Sequence, residues 1–278
     1  MVLESIINPF SAEKRPWEMF FIGFLYNTIA LFLSLLIFKE YASLISVFLT
    51  TISCVPLIYN TIKKEEEFDM DNHKESILLK EHYKVLSFFM FLFLGITLSV
   101  TFWYIILPTS WHADLFGVQS KTIQTINSFV SGYSFGETNS FFKIFFNNMR
   151  VLLFSLLFAL FYCFGSIFIL AWNASVIGVA IGNLIRINLV KFSGYFSIVP
   201  LAILRYMTHG VFEIASYFIA GLAGGIISIA ITKHDFGTKK FEHVLLDSVD
   251  LILLSIFLLF IAALIEVYIT PRMFVNLF

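Results

Sequence analysis

RYMTHGVFEIASYFIAGLAGG, residues 205–225, decides how the rest of this chain is read. From Val211 onward it is apolar and studded with small residues, as a membrane helix is. Yet it opens on His209 and Glu213. Residues four apart on a helix share a face, separated by about 6 Å along the axis. The same stripe continues through Ser216 or Tyr217 to Ala220 and Gly224, and Gly221 and Gly225 repeat the small residues beside it. Small residues at that spacing let another helix approach closely. The polar pair is therefore expected to face other helices and not lipid.

Composition supports a lipid solvent. The chain has 278 residues, 59% hydrophobic and 13% charged, with 35 Phe, and its mean hydropathy is +0.87. Soluble domains carry about 25% charged residues. The expected fold class is all-α: a polytopic transmembrane helical bundle of about seven spans. Net charge is -1, which offers no basic field for nucleic acid. Cys54 and Cys163 fall in apolar runs and read as packing residues, with no disulfide framework or zinc spacing. The run Trp17–Phe38 is too long for a signal-peptide core and reads as the first membrane anchor.

A spanning helix needs about 20 mostly apolar residues. The expected spans are Trp17–Phe38, Tyr41–Tyr59, Val85–Leu107, Val151–Ala171, Asn173–Val190, Thr208–Thr232 and Ser248–Ile269. Asn173, Asn183 and Arg186 interrupt the fifth. YFSIVPLAIL, residues 195–204, is too short to span and contains Pro200, so a re-entrant or interfacial segment is expected there. TIKKEEEFDMDNHKESILLKEHYK, residues 61–84, reads as a solvated loop or helical extension, and His73 and His82 in it lack metal spacing. The connection Pro108–Met149 carries a stripe of Val118, Ile123, Ile126, Phe129 and Val130. That stripe suits an amphipathic helix on the membrane surface or an ordered loop packed on the bundle. Lys63, Lys64 and the cluster near Lys239 place the N-terminus on the cytoplasmic side of the cell membrane.

The last two spans form a hairpin about Lys239–Lys240, so Glu213 and Glu266 are expected at similar depth near its outer end. The fourth span begins at that same end, with Asn147 and Asn148 beside it. The expected polar cluster joins Asn147 or Asn148, His209, Glu213 and Glu266, with Arg186, Arg205 and Tyr206 at its rim. Asn173 is expected at the inner end as a cap or inter-helix hydrogen bond, and reaches the cluster only if the fifth span is broken. Ionisable groups in a membrane cost about 2.5–3.5 kcal/mol each on insertion scales and face a partner or a wet cavity. Three uses fit these residue types: a hydrogen-bonded lock between helices, a divalent metal held by His209, Glu213 and Glu266, or proton carriage by a buried carboxyl. There is no HExxH or GxSxG pattern to suggest a hydrolase and no nucleotide motif to suggest a primary pump.

FFNNMRVLLFSLLFALFYCFG (145–165), WNASVIGVAIGN (172–183), THGVFEIASYFIAGLAGG (208–225) and IEVYITP (265–271) resemble the stage II sporulation protein M family. The family pattern carries Pro before its His-Gly pair and Asn-Gly in the earlier segment; Thr208 and Ala174 stand there instead. Asn148, Asn173, His209, Glu213 and Glu266 stand at matching positions. The resemblance implies a five-span core, 85–278, with the outer loop 108–149. To it residues 1–84 add a two-span helical pair and a charged cytoplasmic loop. The namesake is similar to a membrane scaffold that holds wall-remodelling enzymes, and relatives occur in organisms without that wall. The resemblance therefore implies a scaffold or assembly partner in the cell membrane, with lipid, protein partners or further copies of itself as its contacts. The alternative is a transporter or metal-dependent membrane activity centred on the His/Glu/Glu set.

Overall fold

In lipid every backbone N–H and C=O needs a partner within its own segment, which leaves the helix as the solution for a chain with this pattern. The computed structural model describes residues 15–71, 75–131, 137–162, 165–189, 194–233 and 238–274. Among them there is no strand. The helices are α1 Glu18–Ile37, α2 Ala42–Asp71, α3 Glu75–Ile106, α4 His112–Ser131, α5 Glu137–Tyr162, α6 Gly165–Asn188, α7 Tyr195–Lys233, α8 Lys239–Leu264 and α9 Thr270–Phe274. A π turn, Ile265–Ile269, joins α8 to α9 without a break. Among the described residues, seven stretches are long and apolar enough to cross a membrane: α1, α2, α3, α5, α6, α7 and the run Phe241–Phe274.

Several threonines on these spans are satisfied by bonding back one turn. Thr50, Thr51, Thr61 and Thr101 donate to the carbonyls of Ser46, Val47, Leu57 and Thr97. Glycine fixes the closest approaches. A Cβ on Gly95 of α3 would run into the Phe20 carbonyl of α1, and one on Gly23 would run into the Leu92 carbonyl in return. On α7, Gly224 meets Leu156 and Ala159 of α5. The α7 span is the most buried, while α5 and α8 are the least. The core consequently forms around Tyr217, Phe218, Leu222 and Ile226.

Buried polar side chains fasten the first two helices to the third. Asn27 Nδ2 donates to Ser99 Oγ at 2.9 Å, Trp103 Nε1 donates to Thr28 Oγ1 at 3.1 Å, and Thr50 Oγ1 lies 3.3 Å from Asn27 Oδ1. Cys54 is fully buried; Cys163 lies outside the described residues.

Three sequence expectations change, and one that had two readings is decided. Pro200 sits inside the continuous helix α7, so 195–204 is neither re-entrant nor a separate interfacial piece. Its missing N–H forfeits one bond, to the Phe196 carbonyl, at the exposed end of the helix. The fourth span ends at Tyr162 and the fifth starts at Gly165, so Val151–Ala171 straddles two helices. Of the two readings of the charged stretch 61–84, the helical extension holds on both sides of residues 72–74, which are outside the described set. Finally, α4 packs on α2 and α6 through Leu115, Phe116, Gln119 and Ile123, whereas Val118 is exposed. Gln119 owes its inward place to bonding: Ser43 Oγ donates to its Oε1 at 2.5 Å, and its Nε2 donates to the Ser43 carbonyl and to Ser175 Oγ. The side chains of Ile126, Phe129 and Val130 lie outside the described set.

The glycine contacts predict opposite signs at two positions. Gly95→Val forces α1 from α3 and is expected to cost roughly 1–3 kcal/mol. Gly117→Ala on α4 has nothing within 4 Å of the new methyl and is expected to gain about 0.5–1 kcal/mol. Denaturation of the purified chain in detergent measures both.

Candidate intramembrane His–Glu–Glu centre

His209 and Glu213 project from one face of α7, and Glu266 projects from the π turn that continues α8. One ligand atom from each of the three lies within 4.8 Å of the others. All three side chains are half-buried. A π turn inserts an extra residue into a helix and rotates the side chains beyond it, and such turns are frequent at functional sites. Here it brings Glu266 onto the α7 side and places Thr270 against His209.

Two of the three members are oriented by a neighbour. Tyr217 is wholly buried one turn below Glu213, and its Oη donates to Glu213 Oε1 at 2.8 Å. Ser216 Oγ donates to the Glu213 carbonyl, which keeps the Ser216 hydroxyl off the carboxylate. Thr270 Oγ1 donates to the Ile265 carbonyl at 3.2 Å and lies 3.4 Å from His209 Nδ1. The hydroxyl or the ring can be the donor in the contact with His209, which steadies the imidazole through Nδ1. An imidazole steadied through one ring nitrogen keeps the other for a metal, as ligating histidines commonly do.

The donor set is one imidazole and two carboxylates, which suits divalent ions of the manganese-to-zinc series. A tetrahedral ion with bonds of about 2.1 Å spaces its ligand atoms roughly 3.4 Å apart. The three side chains thus need only small rotations to close on one. Sequence reading missed Tyr217 as the partner of Glu213, and Thr270 altogether. Both stand four residues from a cluster acid, and that spacing is the signal the sequence carries for them.

The other expected members stand elsewhere. Asn148 is buried on α5, whereas Asn147 is exposed, and Asn147 Nδ2 donates to Asn148 Oδ1 at 3.4 Å. Consecutive residues on a helix point about 100° apart, so one of the pair must turn outward. Neither bonds to the three central side chains among the described residues. Asn173 lies within the unbroken α6 and donates to the Ile169 carbonyl of its own helix at 2.8 Å, so it is neither an end cap nor an inter-helix bond. Tyr206 packs with Ile198 and Ala202. Arg205 precedes His209 by one turn on the same face.

Arg186 is not at this rim. It closes the end of α3: Nη1 donates to the carbonyls of Tyr104 and Leu107 at 3.2 and 3.1 Å, and Nη2 donates to Thr109 Oγ1 at 2.8 Å. Those carbonyls lie in the last turn of the helix and just past its end, where backbone acceptors lack partners. Nη1 also lies 2.9 Å from His112 Nε2. Guanidinium only donates, so Nε2 accepts and His112 is neutral there. Burial, followed by the Arg186 charge, holds the His112 imidazole below its ordinary 6.5.

This arrangement sets a pH dependence. The unfolded chain binds the His112 proton more readily than the folded chain does. The stability it contributes is therefore intact above about pH 6.5 and is lost as pH falls through the lower folded value. His112→Gln is expected to flatten the fall in melting temperature between about pH 7 and pH 5. A parallel fall in both proteins would place the acid sensitivity elsewhere.

Three comparisons with known proteins bear on the centre. The model of the family described as Stage II sporulation protein M matches residues 85–271, which contain His209, Glu213 and Glu266. An uncharacterized protein of Methanocaldococcus jannaschii is 31% identical over 131 residues, covering 45% of this chain and 68% of the relative. No solved structure matches the chain.

Proposed function

We propose that this chain, which belongs to the stage II sporulation protein M family, is a multi-pass protein of the cell membrane built around a divalent-cation site. The ligands are His209, Glu213 and Glu266. Residues 85–278 form the core that carries the site, residues 1–84 are an added helical pair, and the N-terminus lies in the cytoplasm. The observation that carries this reading is the convergence of one imidazole and two carboxylates within 4.8 Å, from two different helices. Two carboxylates so close in a poorly hydrated place repel one another. A divalent cation neutralises both and gives the imidazole lone pair its partner. Tyr217 holds the Glu213 carboxylate from behind and is a positioning residue.

A second reading is a scaffold in which the same cluster only locks α7 to α8. It is favoured by the bond from Tyr217 to Glu213 and the approach of Thr270 to His209, which already give two of the three groups a protein partner. In that case the chain would act by presenting its outer surface, α4 included, to partner proteins.

Metal titration separates the two. Zn2+ or Mn2+ added to the chelator-treated chain in detergent is expected to raise its melting temperature by roughly 5 °C or more at saturating excess over Kd. Glu266→Gln should abolish the rise. A chain that melts identically with and without metal, and that loses stability in both His209→Ala and Glu213→Gln, has a lock and no cation site. Tyr217→Phe keeps the packing and removes one hydrogen bond. It is expected to weaken metal binding about 10-fold, read by calorimetric titration, and unaltered affinity would deny Tyr217 its positioning role.

A further inference from the structure

The α5 helix carries a feature that the cation centre does not use. Its span, Ser140–Leu160, has Arg150 at the midpoint, roughly 15 Å from either end. Arg150 is exposed on the outside of the bundle, as are Asn147 and Lys143. Their spacing of four and three residues sets all three on one stripe. Exposed apolar side chains border it: Phe142 and Phe146 stack at 6.3 Å above, and Leu153 and Phe154 lie below. The opposite face is the one that packs inward, with Phe141 and Phe145 against Phe260 of α8.

A cation on the lipid side of a span is costly and is relieved by snorkelling or by drawing headgroups and water inward. Lys143 and Arg150 stand about 10 Å apart along the axis, with the Asn147 amide between them. That spacing lets one phosphate lie between the two cations while acyl chains rest on the phenylalanines and leucine on either side. We propose that this stripe is a binding surface for an anionic phospholipid, whose phosphate is held by Lys143, Asn147 and Arg150. A second copy of the chain fits less well. A two-fold contact through this face would set Arg150 near Arg150, and its flanking residues Phe142, Phe146, Leu153 and Phe154 carry no acid. The inference is independent of the cation site.

The test adds lipid to the delipidated full chain in detergent. Phosphatidylglycerol is expected to raise the melting temperature by roughly 3 °C more than phosphatidylcholine does. The double variant Lys143→Gln/Arg150→Gln should erase that difference, while Lys39→Gln/Lys121→Gln, which removes two exposed cations elsewhere, should keep it. Native mass spectrometry should show retained phosphatidylglycerol on the wild-type chain and less on the first variant. Equal shifts with both lipids, or an undiminished response of the Lys143→Gln/Arg150→Gln chain, overturn the proposal. So does inorganic phosphate reproducing the full shift, which would make the ligand a free anion, or a dimer that persists without bound lipid and is lost in that variant.

Discussion

Glu213 and Glu266 meet across the contact between α7 and α8, on helices long and apolar enough to cross a membrane, and much of the surrounding structure answers the meeting of two carboxylates there. Water would cost these carboxylates nothing; a bilayer makes them find partners. Tyr217 is buried under Glu213 with its hydroxyl turned up to it. A π turn shifts the register of the last span so that Glu266 and Thr270 come round to α7. Gly224 lets α5 close on the same helix further down, which holds α7 at the centre of the bundle.

The remaining polar residues follow the same rule at lower stakes. Asn27, Thr28, Thr50, Ser99 and Trp103 satisfy one another between the first three helices. Ser43, Gln119 and Ser175 do the same where α4 meets α2 and α6. Hydrogen bonds of this kind contribute modestly one by one in membranes, about 0.6 kcal/mol on average. Their larger effect is on register, because a one-residue slip leaves several groups unpaired at once. The first two helices, which precede the family-matched region, are held by these bonds and by the Gly23–Gly95 contact.

How much of this the sequence disclosed depends on what each feature requires. The spans were legible because a bilayer demands long apolar runs. The junction between the fourth and fifth was not, because the apolar run continues from Tyr162 past Gly165 and hydropathy marks no stop there. His209 and Glu213 sharing a face follows from their spacing alone, and the placement of Glu266 near them from counting along the hairpin. Asn147 was included with Asn148 because counting gives depth but not which of two adjacent residues faces inward. Arg186 was misplaced for a related reason: its partners are the carbonyls of Tyr104 and Leu107, and backbone acceptors leave no trace in a residue pattern. The inward side of α4 shares Ile123 with the expected stripe but also takes Gln119, which is polar by type and which only Ser43 and Ser175 make suited to burial. A π turn is a matter of register between packed helices, so nothing in IEVYITP announced one.

The central claim is that one imidazole and two carboxylates, drawn from α7 and from the π turn after α8, act as a single ligand set. X-ray absorption at the zinc edge of the loaded, detergent-solubilised chain tests it most directly. The account predicts a first shell with one imidazole nitrogen and carboxylate oxygens at about 2.0–2.2 Å, and loss of the imidazole signature in His209→Ala. A shell of water oxygens alone, or a spectrum that His209→Ala leaves unchanged, would contradict it.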